Sequence, residues 1–187
     1  MLIAFNKPYG VISQFSSNDT LDRTLAEFGF PPNIYPLGRL DMDSEGLLLL
    51  SDEPDLNARL LPPGQGHSRI YWAQIERIPT REALSRLECR LVIQGRRTLP
   101  CRGWILAPQP EIPHRDPPIR FRKSVPDCWI GLELTEGKNR QVRRMTAAIG
   151  HPTLRLIRVQ IGAFALGELP AGKWRELGNA DRKRILD

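Results

Sequence analysis

Residues 38–52 read GRLDMDSEGLLLLSD, a carboxylate-rich loop that runs directly into four consecutive leucines. A short apolar run bounded by turn residues is the signature of a strand buried on both faces. The acidic loop is therefore tethered to a core element. Just beyond it, Pro54 marks the start of a helix, because proline is tolerated in a first helical turn, where its missing donor would have no partner. Upstream, residues 34–38 lead into the loop. Residues 2–15 are apolar and β-leaning around the turn Lys7-Pro8-Tyr9-Gly10, which predicts two short strands. Between these segments Thr20 is placed to cap a helix carrying Leu21, Leu25 and Phe28 on one face, with Gly29 and Pro31-Pro32 as its stop.

Downstream, residues 69–77 alternate, with Tyr71, Ala73 and Ile75 on one face and Ile70, Trp72 and Gln74 on the other, as a strand requires. Thr80 caps a short helix with Ala83, Leu84 and Leu87 along one stripe, and residues 91–93 and 99–107 read as further strands. The six prolines within residues 108–126 forbid a central strand or helix throughout and predict a long excursion. Residues 129–135 return to strand. Residues 139–149 form a helix with Val142, Met145 and Ile149 inward, stopped by Gly150 and Pro152, and residues 153–161 close the sheet. This order predicts an α+β fold, a mixed and mainly antiparallel sheet flanked by helices. One domain over residues 1–187 is expected, built as halves of about 1–66 and 67–187 around an active cleft and joined near PPGQGH.

The chain has 187 residues, 41% apolar and 26% charged, enough to bury a core without staples. Cys89, Cys101 and Cys128 form no CxxC pair and leave an odd thiol, which favours neither a zinc ribbon nor a disulfide framework. With no signal pattern and no apolar run near membrane length, a cytoplasmic protein, not a membrane protein, is expected. Lysine and arginine number 27 against 21 acids, a net charge of +6. That excess is local. Residues 137–158 hold Lys138, Arg140, Arg143, Arg144, Arg155 and Arg158 with no acid, so the remainder is balanced. A concentrated positive field points to a polyanionic partner, nucleic acid first, although a solvated helix face produces the same count.

Three readings of residues 38–47 compete. The plainest is a solvent-exposed turn whose Asp and Ser side chains cap the next element. A calcium loop would use Asp41, Asp43, Glu45, Gly46 and Asp52, but Leu49 stands where a ligand belongs, the last position is Asp, and Pro36 and Gly38 deny it an entering helix. The third makes Asp41 a catalytic carboxylate fixed by a rigid strand, with Arg39 beside it to hold nucleic acid.

The block EGKNRQVRRM, residues 136–145, places Gly137-Lys138 at a helix opening, where backbone donors and a cation grip phosphate. It lacks the first glycine and the Ser or Thr of a nucleotide-binding P-loop, so ATP is not implied. Tyr71 reads either as a core residue with its hydroxyl at the rim or as a platform for a nucleobase, with Arg69 two positions before it. His67, His114 and His151 are too scattered to support a metal site or a triad.

Taken in order, GRLDMDSEGLLLLSD, RIYWAQIE, and EGKNRQVRRM followed by GHPTLRLIRVQIG resemble the catalytic-aspartate, tyrosine and basic blocks of the RsuA branch of the pseudouridine synthases, and the opening FNKPYGVISQ extends the resemblance over almost the whole chain. The first strand is expected to begin at about Leu2, so the N-terminal S4-type domain that many members carry is not expected. The resemblance implies that Asp41 is the essential carboxylate, that Tyr71 stacks on the target uracil, and that Lys138 supplies the cation that pairs with the aspartate, with Arg140 the alternative. It also implies that Arg39 fills the gap left by the extruded uridine. Arg69, Arg143, Arg144, Arg155 and Arg158 are the remaining expected RNA contacts. The implied partner is ribosomal RNA, that of the large subunit by likeness to the short members. A monomer without cofactor or metal is expected. A non-catalytic RNA-binding or ribosome-assembly protein would share the same basic face. Isomerisation of uridine breaks the N1 glycosidic bond, turns the base and rejoins it through C5. Attack by Asp41 at C1′, addition to the uracil ring, and removal of the 2′ proton all fit an aspartate, and the resemblance favours the last.

Overall fold

The computed structural model describes residues 1–60, 67–119 and 124–186. The backbone divides into two compact units, residues 1–67 with 157–187, and residues 68–156. In the first, β1 (Leu2–Lys7) pairs antiparallel with β3 (Glu45–Ser51) from Leu2↔Ser51 to Lys7↔Gly46. The short β2 (Tyr35–Pro36) also lies antiparallel to β3, at its far end. Every residue of β3 is buried, as the unbroken leucine run requires. Helix α1 (Asp55–Leu60) follows, one residue past Pro54, and buries Leu56 and Leu60 one turn apart.

The helix expected from Thr20 is displaced and shortened. A single 3-10 turn, Leu25–Phe28, is capped instead by Thr24, whose hydroxyl accepts from Ala26 N while Glu27 reaches back to the Thr24 backbone. This reciprocal cap satisfies two donors that Thr20 could satisfy only singly. Asp19 holds Leu21 N in a side-chain turn, and Leu21 is left 88% exposed where the periodicity placed it inward.

In the second unit β4 (Arg69–Glu76) buries Tyr71, Ala73 and Ile75 on one face, in agreement with the alternation. Helix α2 (Arg81–Ser85) begins at Thr80, whose hydroxyl accepts from Ala83 N, and a 3-10 turn to Cys89 extends it. The strands β5 (Val92–Ile93) and β6 (Arg96–Arg97) form a small hairpin. Next, β7 (Arg102–Ile105), shorter than expected, pairs with β8 (Asp127–Leu134), which lies antiparallel to β4. At the register Trp104↔Gly131 the indole covers the glycine so closely that a Cβ there would stand 2.2 Å from the ring. The described part of residues 108–126 holds neither helix nor strand, consistent with its prolines. Helix α3 (Gln141–Ala148) buries Val142 and Met145, with Ile149 closing its end.

β9 (Thr153–Ile161) crosses the boundary in sequence. The strand order is β9-β4-β8-β7 in the second unit and, with β11 (Trp174–Glu176) at its edge, β11-β1-β3-β9 in the first. Its pairing with β3 is parallel, Glu45↔Ile157 and Gly46↔Arg158, whereas the β1–β3, β1–β11, β2–β3, β4–β8 and β7–β8 pairs, and that of β9 with β10 (Phe164–Ala165), are antiparallel, so the expected mixed, mainly antiparallel α+β architecture is found.

The described chain closes with β10 (Phe164–Ala165), β11 (Trp174–Glu176), which pairs with β1, and α4 (Asn179–Leu186). Leu2, Leu47, Leu49, Leu56, Phe164 and Ile185 share one core. Residues 157–187 thus group with the N-terminal half, whereas the sequence reading assigned them to the C-terminal one. The reason is that β1 has two edges, one taken by β3, and the last strand takes the other. Most of the expected join at residues 62–67 lies outside the described residues.

Candidate functional site

The loop before β3 is held in shape by backbone and hydroxyl contacts. Ser13 Oγ accepts from Leu40 N at 3.0 Å and donates to Leu40 O at 2.8 Å, and Gly10 N donates to Met42 O at 2.9 Å. Ser44 N donates to Asp41 O at 3.0 Å, closing a turn that leaves Asp41 half-buried. Arg39, two residues before it, is exposed.

Under this loop lies Lys7, the last residue of β1 and fully buried. Its Nζ donates to Val11 O at 2.6 Å and Pro8 O at 3.0 Å. Burial pulls its pKa down to about 8, against the opposing pull of Glu45, Asp43 and Asp41, while Arg158 adds to the lowering. A cation thus interacts electrostatically with three of the four carboxylates that the calcium reading needed as ligands. Among the described residues no cluster of His, Cys, Asp and Glu could hold a metal ion.

Arg158 is the second cation of this region. It is 5% exposed, donates from Nε to Leu47 O at 2.7 Å, and its Nη2 has no hydrogen-bond partner among the described residues. It reaches this position because Gly46 lets β9 approach. A side chain at Gly46, whose φ is +98°, would meet Arg158 O at 2.3 Å.

In the second unit, Arg69 and Tyr71 stand on the same face of β4, two residues apart, Tyr71 buried and Arg69 half-buried. At the start of α3 the exposed Lys138 pairs with Glu136, Nζ to Oε2 at 2.9 Å. Glu136 is 5% exposed and also accepts from Leu99 N at 2.7 Å and from the Gln141 amide. Burial pushes its carboxyl up, but the Lys138, Leu99 and Gln141 donors outweigh that and leave it below the usual carboxylate range. Within its own unit, therefore, the partner of Lys138 is Glu136, which the sequence reading did not single out. Arg140 is exposed and occupies the N-cap in a left-handed conformation, φ +51°. Arg144 donates to Gln94 Oε1 at 2.6 Å and Asn139 Oδ1 at 2.8 Å, and Arg143 to Thr153 O at 3.3 Å.

The six cations of residues 137–158 do not form one exposed face. Lys138 and Arg140 are exposed and Arg143 and Arg144 half-buried, whereas Arg155 and Arg158 are buried. Arg155 donates to Pro113 O at 2.7 Å and lies 5.9 Å from the Trp129 ring centre, pinning the proline-rich excursion to the sheet. Both buried arginines sit on β9, whose β period and central place hide them. Of the expected RNA contacts, Arg155 and Arg158 are therefore the two that the fold buries. Lys7 escaped notice because a lysine ending an apolar strand reads as a solvent-seeking tip, although its neighbours Leu2 to Phe5 were a signal of depth.

A family model described as RNA pseudouridylate synthase matches residues 1–148. The chain belongs to the RNA pseudouridylate synthase family. Among relatives of this synthase, "Ribosomal large subunit pseudouridine synthase E" of Xanthomonas campestris pv. campestris is 51% identical over 176 residues, covering 94% of each chain. The protein of the same name from Vibrio parahaemolyticus is 42% identical over 94% of this synthase and 73% of its own length. A solved structure titled "Crystal structure of pseudouridylate synthase" superposes with a TM-score of 0.80 at 26% identity, over 98% of this synthase and 73% of that chain. The synthase is accordingly an isomerase that converts uridine to pseudouridine in RNA.

Proposed function

We propose that the synthase acts on a uridine of large-subunit ribosomal RNA, with Asp41 as its essential carboxylate. The supporting observation is the bracing of the backbone on either side of Asp41 by Ser13, Gly10 and Ser44, which fixes the turn that carries its carboxylate ahead of a core strand. Preorganisation of this kind is what proton transfer or nucleophilic attack at a ribose carbon requires. The two relatives named for the ribosomal large subunit supply the substrate class.

Asp41 either takes the 2′ proton, which is later returned to C2′, or attacks C1′ or the ring. The N1–C1′ bond breaks, the freed uracil turns and bonds to C1′ through C5, and C5 loses a proton while N1 gains one, so no atom or electron is gained or lost overall. Water must be kept out while the base is detached. Tyr71 presents a ring for the flipped uracil, which offsets part of the few kcal/mol that unstacking costs. Arg39 is assigned to the vacated stack, and Arg69, Lys138, Arg140 and Arg144 to phosphates. Arg143, Arg155 and Arg158 support the framework that carries them. The working form is a cytoplasmic monomer, with residues 1–187 acting as one catalytic unit; no helix among the described residues is long and apolar enough to cross a membrane.

The test is chemical mapping of pseudouridine in ribosomal RNA from cells with and without the gene, complemented by wild type or Asp41→Asn. One site is expected to vanish and to return only with wild type. Purified Asp41→Asn is expected to keep RNA affinity while turnover falls by at least ~10²- to 10⁴-fold. Full turnover by that variant removes Asp41 from the chemistry, and an unchanged map points to a non-catalytic RNA-binding role or another RNA.

A further inference from the structure

The β5–β6 hairpin and the start of α3 enclose a cavity of about 460 Å³ within the second unit. Pockets for single small ligands run from roughly 300 to 1,000 Å³, so this one suits a nucleotide. Its polar walls are Gln94, Arg96 and Thr98 on the hairpin side and Lys138, Asn139 and Arg144 on the helix side, with no acidic side chain among the described residues. The hairpin is fixed in place. Gln94 and Gly95 both have positive φ, +52° and +74°, as a tight two-residue turn demands, and Arg144 ties Gln94 to Asn139 across the cavity. Those partners are neutral amides and leave the guanidinium charge uncancelled, whereas Lys138 shares its charge with Glu136.

Thr98 supplies an independent pointer. It is 4% exposed, lines the cavity, and its hydroxyl has no hydrogen-bond partner among the described residues. An unpaired buried hydroxyl is costly, and a ligand oxygen relieves that cost. Tyr71, assigned to the target base, is not among the walls.

We infer that this cavity holds one unstacked nucleotide flanking the target uridine, its phosphate held by Arg96 and Arg144 and by the Thr98 hydroxyl. It is thus a specificity subsite that reads RNA outside the reacting base, and it rests on the RNA-synthase reading above. A free nucleotide offers the same phosphate chemistry and is the competing source.

The experiment uses the full chain and large-subunit RNA from cells lacking the gene, comparing wild type, Arg96→Gln, Thr98→Val and the control Arg81→Gln, a surface cation on α2. Arg96→Gln is expected to raise KM about tenfold with kcat within about twofold, as loss of one charge-assisted phosphate contact implies. The same change should flatten the slope of log affinity against log salt by about 0.7 to 0.9. Thr98→Val is expected to raise KM by about threefold or more without lowering the melting temperature, a pairing that a merely structural hydroxyl would not give. If both variants match Arg81→Gln in KM and salt slope, or if kcat falls at constant KM, the subsite is overturned. If wild type makes no pseudouridine in this RNA, the large-subunit reading fails, while the salt slopes of binding still decide the cavity. If millimolar uridine 5′-monophosphate raises the melting temperature of wild type but not of Thr98→Val, and RNA KM is unmoved, the cavity serves a free nucleotide and the proposal is overturned.

Discussion

Lys7 brings an ammonium into a place where water cannot reach it, and two backbone carbonyls that accept from it, with the charges of Glu45, Asp43 and Asp41, offset part of that cost. Its pKa of about 8 in the folded state lies below the usual 10.5, so between these values the unfolded chain binds the proton and the folded chain does not. Stability contributed by this group therefore rises with pH across that window. The lowering corresponds to about 3 kcal/mol, to order of magnitude. The expected outcome is that the difference in urea stability between wild type and Lys7→Met grows by up to about 3 kcal/mol from pH 8 to pH 10.5, and a difference flat with pH refutes it. Below pH 8, Lys7→Met should still be the less stable protein, because breaking a buried charge cluster costs about 3–5 kcal/mol. The place of Asp41, in a loop that runs into a fully buried strand, was legible in the sequence because four consecutive leucines follow it. Lys7 and Glu136 were not, since burial of a charge depends on what the rest of the chain folds over it. The assignment of Lys138 as a partner for Asp41 came from resemblance, and in its own unit that lysine is engaged by Glu136.

At the level of elements, strands and helices with a clear period were readable. β4 follows its alternation residue by residue, and α3 buries the apolar side chains that its spacing selects. The 3-10 turn at Leu25 was misplaced because two capping threonines compete within five residues, and only Thr24 has Glu27 at the reciprocal position. Nothing in the sequence marked β11, three residues without apolar alternation, whose pairing with β1 depends on a strand at the other end of the chain. Close packing between β7 and β8 yields a direct check. Gly131→Ala drives a methyl into the Trp104 ring and is expected to cost about 1–3 kcal/mol in urea unfolding. Gly137→Ala, with no atom within 4 Å of the added carbon and an ordinary φ, should stay within about 0.5 kcal/mol of wild type. Equal losses at the two sites would show that steric crowding is not what keeps Gly131.

For the molecule as a whole, positive charge is concentrated but only partly displayed. If Arg69, Arg96, Lys138, Arg140 and Arg144 contact phosphates, the slope of log affinity for RNA against log salt should be about −3.5 to −4.5. A slope near −6 would mean that the buried Arg155 and Arg158 also reach the RNA, which their 8% and 5% exposure argues against. The first unit joins early and late parts of the sequence in one core, so Ile185, in the last turn of α4 and fully buried, should matter as much as any leucine of β3. Ile185→Ala is expected to cost about 2–5 kcal/mol, read as a lowered urea midpoint. A loss below 1 kcal/mol would detach α4 from that core.

The grouping of residues 157–187 with residues 1–67 also sets an order of events during synthesis. As the chain leaves the ribosome, β1 meets β3 early, but its outer edge stays bare until β11 is translated more than a hundred residues later. At ~5–20 residues per second that interval lasts several seconds. During it the acidic loop is mounted on a half-built sheet with an open strand edge, a surface prone to pair with other chains. An enzyme of this design becomes competent only once β11 and α4 have emerged, and a message truncated between β9 and β11 would yield a chain with all three sequence blocks intact and no finished platform beneath Asp41.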